Sequence, residues 1–340
     1  MKTYALVRNG DAATAFEVRE QAIPSPKKGE IVIKTEAFGL NYADVMARLG
    51  LYQDAPPLPA VLGYEVVGRI HALGEDVSGF QLGDRVVAMT RFGGYADYAM
   101  TQASACAAIP DTMQAGVAAA LATQYITAYH AACEQTNLQQ GEHVLIHAAA
   151  GGVGIALVQI AKQKGCIVYG TCGSDEKIAF LKTLGVDFPI NYTKEDWTAV
   201  VKNLRGKEGL DVIFDSLGGS SVSKGFKALG AGGRFIGYGA ANMAGESKNM
   251  LRVLKTVIGF GLYSPIQFLG SSKAFIGINM LRIADSRPEI IKRCLDTVIK
   301  LAKDGHIAPY IGGEFPASDL AKAHDFLGRR SSIGKVICTI

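Results

Sequence analysis

No C-x-x-C pair occurs among the six cysteines, which stand apart at 106, 133, 166, 172, 294 and 338. Their scatter argues against a thiolate zinc knuckle and a disulfide framework, and it fits a reducing, cytoplasmic setting. Most of these thiols are expected to act as small buried hydrophobes. No block of five like charges exists, the net charge is only +4, and basic residues do not interleave with aromatics. Nucleic-acid binding therefore has no support. The opening MKTYALVRNGD is too polar for a signal peptide and reads as a first strand. The longest uncharged run, TVIGFGLYSPIQFLGSS at 256–272, contains Pro265 and is short for a membrane span. It reads as a buried connector or interface strand. Neither a repeat of fixed period nor a low-complexity segment is present.

With 340 residues, 49% of them apolar, the chain is long enough for two domains with separate cores. Up to about residue 120, short β-like runs such as EIVIKTEAFGL, VLGYEVVGRIHALG, GDRVVAM and GGYADYAM alternate with glycine turns. This predicts a compact, mostly antiparallel β domain. The Ala-rich MQAGVAAALATQYITAYHAACEQ is helical in pattern. Strand-like HVLIHA, CIVYGTC, GLDVIFDSLGG and GGRFIGYGA follow, and the helix-like IALVQIAKQKG and DEKIAFLKTLG separate the first three. That βαβαβ rhythm predicts a parallel, doubly wound sheet. A helix, PEIIKRCLDTVIKLAKDG, and the strand-like EFPAS and GKVICTI close the chain. The expected division is a Rossmann domain at 123–264 and a discontinuous β domain at 1–122 and 265–340.

The stretch VLIHAAAGGVGIALVQIAK, residues 144–162, runs strand, tight small-residue turn, helix. Such a turn lets the backbone approach a pyrophosphate, and the helix start offers N–H donors to an anion. Ala148 stands where a first glycine is usual. Ala150, Gly151, Gly152, Val153 and Gly154 are the expected pyrophosphate contacts, and a ligand-free turn is the alternative. After the second strand no acid sits at the tip. Gly173 and Ser174 come first, with Lys177 and Tyr192 beyond. A hydroxyl and an ammonium suit a 2′-phosphate, so NADPH is expected. Asp175 or Glu176 on the ribose would mean NADH instead.

GLNYADVMARLGLY (39–52), GYEVVGRIHALG (63–74), GGYADYA (93–99), AAAGGVG and the closing GKV resemble the medium-chain dehydrogenase/reductase superfamily, quinone oxidoreductase branch. QYITAY (124–129), YGAANMAGESKNM (238–250) and the region 251–285 are most similar to its VAT-1-like group. The resemblance implies a GroES-like catalytic domain beside the Rossmann domain. Zinc-dependent members carry Cys near Asn41 and His at Tyr64, so no zinc is expected: Asn and Tyr are poor ligands. The four-Cys loop expected between Gly94 and Cys106 is also missing, and Asp44 and Glu65 are expected to make structural hydrogen bonds.

The resemblance further implies an NADPH-dependent reductase of quinones or other α,β-unsaturated carbonyls. Asn41, Tyr52 and Tyr64 stand at its catalytic positions, although Asn41 as a helix cap and the tyrosines as packing aromatics remain open. Thr127, Tyr238 and Gly239 match segments near the nicotinamide, and Lys335 is placed to reach the pyrophosphate. His130, with Thr127 and Glu134 on one helix face, and His147, before the glycine turn, read as packed side chains. The alternatives are a membrane- or lipid-associated binding protein that uses the cofactor little, and an enoyl-thioester reductase. The strand-forming 257–283 segment predicts a homodimer, with membrane-surface association as the rival.

Overall fold

The structure is a computed structural model, and it describes residues 1–241 and 259–340. Two compact units divide the chain. One comprises Met1–Ile126 with Leu281–Ile340, the other Thr127–Met280. The expected return to the first unit at residue 265 is corrected to Leu281. Residues 265–280 stay with the Rossmann unit because they supply its sixth strand.

The N-terminal part of the first unit contains β1 (Lys2–Leu6), β2 (Phe16–Glu20), β3 (Glu30–Leu40), β4 (Ala60–Val61), β5 (Glu65–Leu73), β6 (Arg85–Met89), β7 (Tyr98–Gln102) and β8 (Cys106–Ala108). β3 carries the expected EIVIKTEAFGL run, and its Ile31, Ile33, Phe38 and Leu40 are fully buried in the core. The helix Tyr42–Arg48 follows at once.

In the second unit, β9 (His143–Ile146), β10 (Ile167–Cys172), β11 (Phe188–Asn191), β12 (Leu210–Asp215), β13 (Leu229–Gly237) and β14 (Ala274–Gly277) form one sheet in the order β11-β10-β9-β12-β13-β14. Every pairing is parallel. Strand order therefore reverses between β9 and β12, the switch point at which such sheets hold ligands beyond their carboxyl ends. The segment 257–283 is not one long strand. Residues 257 and 258 fall outside the described residues, as does most of YGAANMAGESKNM. The rest comprises the helix Pro265–Ser271, the short edge strand β14 and the helix Met280–Ser286. Ser264 and Gln267 form a capping box that, with Pro265 at the first turn, fixes the start of the middle helix.

The returning chain adds β15 (Ile311–Pro316) and β16 (Lys335–Thr339) to the first unit. They extend its larger sheet as β15-β16-β3-β5-β6-β8, with β7 paired to the first half of β3 (Glu30–Lys34), while β2-β1-β4 form a small second sheet. Arg282 pairs with Asp54 (2.8 Å), which ties the helix Met280–Ser286 to the loop carrying Tyr52, and Arg91 pairs with Asp285 (2.6 Å), which ties the same helix to the loop after β6. No disulfide joins the six cysteines. Among the described residues, no helix is long and apolar enough to cross a membrane.

Candidate functional site

The first unit encloses a polar cluster at the end of β3. Asn41 leaves that strand, Glu65 opens β5 and Lys335 opens β16. Glu65 and Lys335 are wholly buried and Asn41 nearly so. The Asn41 amide donates to both oxygens of Glu65, at 2.9 and 2.8 Å. Its own oxygen accepts from Lys335 Nζ at 3.0 Å. The Lys335 ammonium pairs with Glu65 Oε1, and the Thr123 hydroxyl donates to Glu65 Oε2. Gly39 is required here: a Cβ would collide with the Glu65 carboxylate and the Lys335 side chain.

Two expectations change on this geometry. Asn41 is more than a helix cap: it heads the helix in a capping box with Asp44, yet its amide also reaches out of that box. The helix start is served by Asp44, which accepts from Asn41 N–H at 2.8 Å, while the Asn41 amide points at Glu65 and Lys335. Lys335 is not a pyrophosphate contact. A fully buried ammonium spent on Glu65 and Asn41 has no surface to offer a phosphate.

Asp44, also fully buried, accepts a second hydrogen bond from Gly63 N–H at 3.2 Å. Burial pushes its carboxyl up to about 7, against the opposing pull of the Asn41 N–H. Tyr64 is buried and packs its ring against Phe92 (5.2 Å) and edge-on to half-buried Tyr52 (6.4 Å). Burial, and after it the Asp44 charge, raises the Tyr64 phenol well above its ordinary value. Tyr52 perturbs it as well, but the two hydroxyls do not reach hydrogen-bond geometry. The Tyr64 hydroxyl is thus a buried donor with no partner among the described residues. Burial also raises Tyr52, with Asp54 adding to the effect.

Apart from Thr127, the expected residues of the second unit follow the carboxyl ends of β9, β10, β11 and β13. The turn after β9 begins at Ala148, whose φ of +51° is the left-handed conformation that a first glycine would adopt without strain. Ala149 N–H bonds Thr171 O (2.9 Å) on the neighbouring strand. The helix Gly152–Gln163 starts from Gly151, and a Cβ at Gly154 would collide with the Ala148 carbonyl. Ala150 is buried, while Gly151, Gly152 and Val153 are partly exposed at the helix start. This cradle of small residues fits a dinucleotide pyrophosphate.

Beyond β10, a Cβ at Gly173 would lie 2.5 Å from the Tyr192 hydroxyl, so glycine lets that ring cover the strand tip. Ser174 caps the helix Asp175–Thr183 by accepting from Lys177 N–H at 3.3 Å. Tyr238 follows β13, bonded through its N–H to Asp215 O (2.9 Å), and burial raises its phenol. Gly239 lies exposed beside it, where a Cβ would meet Ser216 O at 2.8 Å. Thr127 is buried. His130 is buried with Nδ1 on Glu134 (2.8 Å) and Nε2 on Gln135 (3.2 Å). His147 is buried against Trp197, its Nδ1 3.0 Å from the Thr171 hydroxyl.

Residues 27–127 match the alcohol dehydrogenase GroES-like domain, and residues 152–275 match the zinc-binding dehydrogenase domain. The human synaptic vesicle membrane protein VAT-1 homolog is 36% identical over 324 residues, covering 95% of this chain and 82% of the relative. The chain belongs to the medium-chain dehydrogenase/reductase family. Within it, the chain is quinone-oxidoreductase-like and related to VAT-1. The quinone oxidoreductase of Pseudomonas syringae pv. tomato DC3000 superposes with a TM-score of 0.87 at 27% identity, covering 100% of this chain and 99% of that one. A mycobacterial protein solved with NADPH gives a TM-score of 0.87 at 27% identity, with 100% coverage of both chains.

In the zinc-dependent members of this family, Asn41 and Tyr64 would be Cys and His. The donor set here does not fit that metal. Zinc takes thiolate, imidazole or carboxylate. Asn41 offers an amide already engaged on both sides, Tyr64 a neutral phenol, and Glu65 a carboxylate already paired with an ammonium.

Sequence reasoning did not find Thr123 or Asp215. Thr123 carries no motif, and its role depends on meeting Glu65 across 58 residues. Asp215 is the last residue of β12, inside the FDSLGGS stretch. It is buried and accepts from Leu217 N–H (2.5 Å), Gly218 N–H (2.8 Å) and Ser221. An acid followed by two glycines and a serine at a strand end is a helix-start signal that could have revealed it.

Proposed function

We propose that this chain is a zinc-independent, NADPH-dependent reductase of quinones and related α,β-unsaturated carbonyl compounds. The observation that carries this reading is the closed Asn41–Glu65–Lys335 cluster at the family's metal position. A fixed, buried ammonium already neutralises the carboxylate there. Without a Lewis acid, an alcohol or simple carbonyl is poorly polarised, whereas a quinone or enone is electrophilic from the start. The NADPH found with the mycobacterial relative supports the cofactor half of the reading.

When bound, NADPH supplies a hydride. The backbone of Ala150–Gly154 is assigned to its pyrophosphate. Ser174, Lys177 and Tyr192 are assigned to the 2′-phosphate, and Thr127, Tyr238 and Gly239 to the nicotinamide end. Negative charge that builds on the acceptor oxygen needs a placed donor. Tyr52, half-buried and neutral, is the phenol suited to that role, and Tyr64 packs behind it. Asn41 acts as a positioning residue, because its amide is committed inside the cluster.

For assembly, we propose a homodimer. Among the described residues β14 pairs only with β13, and the side chains of Leu262, Ile266 and Leu269 nearby are 97%, 79% and 80% exposed. Such an edge and patch invite a second copy.

The test is a steady-state panel of quinones, enones and enoyl thioesters with NADPH and NADH. Turnover of quinones or enones with NADPH supports the reading. Turnover of enoyl thioesters alone, or none with binding to anionic vesicles instead, would replace it.

A further inference from the structure

The acid nearest the β10 tip opposes a 2′-phosphate there. Asp175 follows Ser174 directly and opens the helix Asp175–Thr183. An acid near this point usually receives the ribose hydroxyls of NADH, and its charge would repel the extra phosphate of NADPH. Here both of its oxygens are occupied. Asn191 Nδ2 donates to Oδ1 at 2.9 Å, and Lys194 Nζ donates to Oδ2 at 2.5 Å. Asn191 is itself fixed. It is the last residue of β11, only 5% exposed, and its Oδ1 accepts from Thr193 N–H (3.1 Å) and from the Thr193 hydroxyl (2.7 Å). Its backbone carbonyl also receives Lys194 N–H (2.9 Å) and Glu195 N–H (3.1 Å). The arrangement is a turn built around the Asn191 amide that aims one side-chain donor and one lysine at Asp175.

We propose that Asn191 and Lys194 form a clamp that holds and neutralises Asp175, and that this clamp sets the preference of the nucleotide site for a 2′-phosphate over a ribose diol. The proposal rests on the NADPH reading above and deepens it. With its acceptors filled, Asp175 makes a poor partner for two ribose hydroxyls. With Lys194 against it, its charge no longer opposes the phosphate at Ser174 and Lys177. The lowered pKa of Asp175, caused first by Lys194 and then by Asn191, is consistent with a carboxylate that stays ionised in the pair. The pair is solvent-exposed, so its contribution to folding is small. Its effect is on which ligand charge the site tolerates.

The test uses two fragments, adenosine 2′,5′-bisphosphate and 5′-AMP, titrated calorimetrically into the full chain. The wild type should bind the bisphosphate more tightly. Lys194→Gln frees one oxygen and one uncompensated charge of Asp175, and it should narrow the bisphosphate-to-AMP preference by about five- to tenfold at low salt. Asn191→Ser should narrow it less. Adding Asp175→Asn to Lys194→Gln should restore most of the preference, because the charge being screened is gone. Failure of Asp175→Asn to rescue would mean that Lys194 acts on the phosphate directly, which overturns the clamp. So would an unchanged preference in Lys194→Gln. Equal binding of the two fragments by the wild type would instead overturn the NADPH reading, and the clamp with it.

Discussion

Replacing Lys335 by Met tests the buried cluster on which the functional reading stands. The side chains of Lys335 and Glu65 are both 0% exposed. Removing the ammonium leaves the Glu65 carboxylate in the interior with the Asn41 amide and the Thr123 hydroxyl as its remaining side-chain donors among the described residues. It also strips Asn41 Oδ1 of its lysine donor. Breaking one side of a buried pair typically costs about 3–5 kcal/mol, and an orphaned buried acceptor costs about 1–3 kcal/mol. Because these overlap, about 4 kcal/mol is expected in total for Lys335→Met. Glu65→Gln should cost a similar amount by stranding the ammonium. The double variant leaves no uncompensated charge, so it should cost at least about 2 kcal/mol less than the sum of the singles. Urea unfolding followed by far-UV circular dichroism measures this. The only tryptophan, Trp197, lies in the other unit, so its fluorescence provides an internal contrast. If the two units unfold separately, the circular dichroism transition should shift and the fluorescence transition should not. A cost below about 1 kcal/mol for Lys335→Met, or strict additivity in the double variant, would refute the buried pair.

Asp44 gives a pH prediction. Its carboxyl moves from 3.8 to about 7 on folding, so between those values the folded chain keeps a proton that the unfolded chain has released. Stability from this group therefore falls as pH rises from about 4, and the loss is complete above about 7. Asp44→Asn should flatten that slope in urea titrations at pH 5.5 and 8, and an unchanged slope would contradict it. Lys177→Ala should weaken NADPH binding about tenfold or more while sparing NADH, since a charged hydrogen bond is worth roughly 1.5–3 kcal/mol; equal losses for both cofactors would count against the assignment. Tyr52→Phe should lower kcat/KM on an enone at least about tenfold more than on a quinone, because only the enone needs a proton at carbon and a general acid supplies about 10²–10⁴-fold. Equal effects on both would make Tyr52 a packing residue.

Much of the second unit was legible because local sequence signals agree with the fold. The run VLIHAAAGGVG places a β-favouring segment, a turn and a helix start in register, and Ala148 accepts the left-handed angle that the turn demands. The parallel order follows from the alternation of strands and helices. The four-residue strand β11 was missed, and β14 was expected only as part of a longer strand-forming segment at 257–283: FPIN and AFIG are too short to show a period. Not assigning β14 to the Rossmann sheet is what put the domain return at 265 instead of 281. The cluster in the first unit was legible only in part. Asn41, Glu65 and Lys335 each sit in a recognisable motif, yet the direction of the Lys335 side chain is set by a carboxylate 270 residues away. The same long-range pairing engages the Asn41 amide with Glu65 and Lys335, beyond the helix start it heads.

The most direct measurement is NADPH oxidation with a quinone acceptor by protein whose metal content has been determined, before and after exhaustive chelation. The account predicts less than about 0.1 zinc per chain and an unchanged rate, because a Lewis acid has no donor set at Asn41, Tyr64 and Glu65. Stoichiometric zinc with activity lost on its removal, or no quinone turnover with NADPH at all, would contradict it.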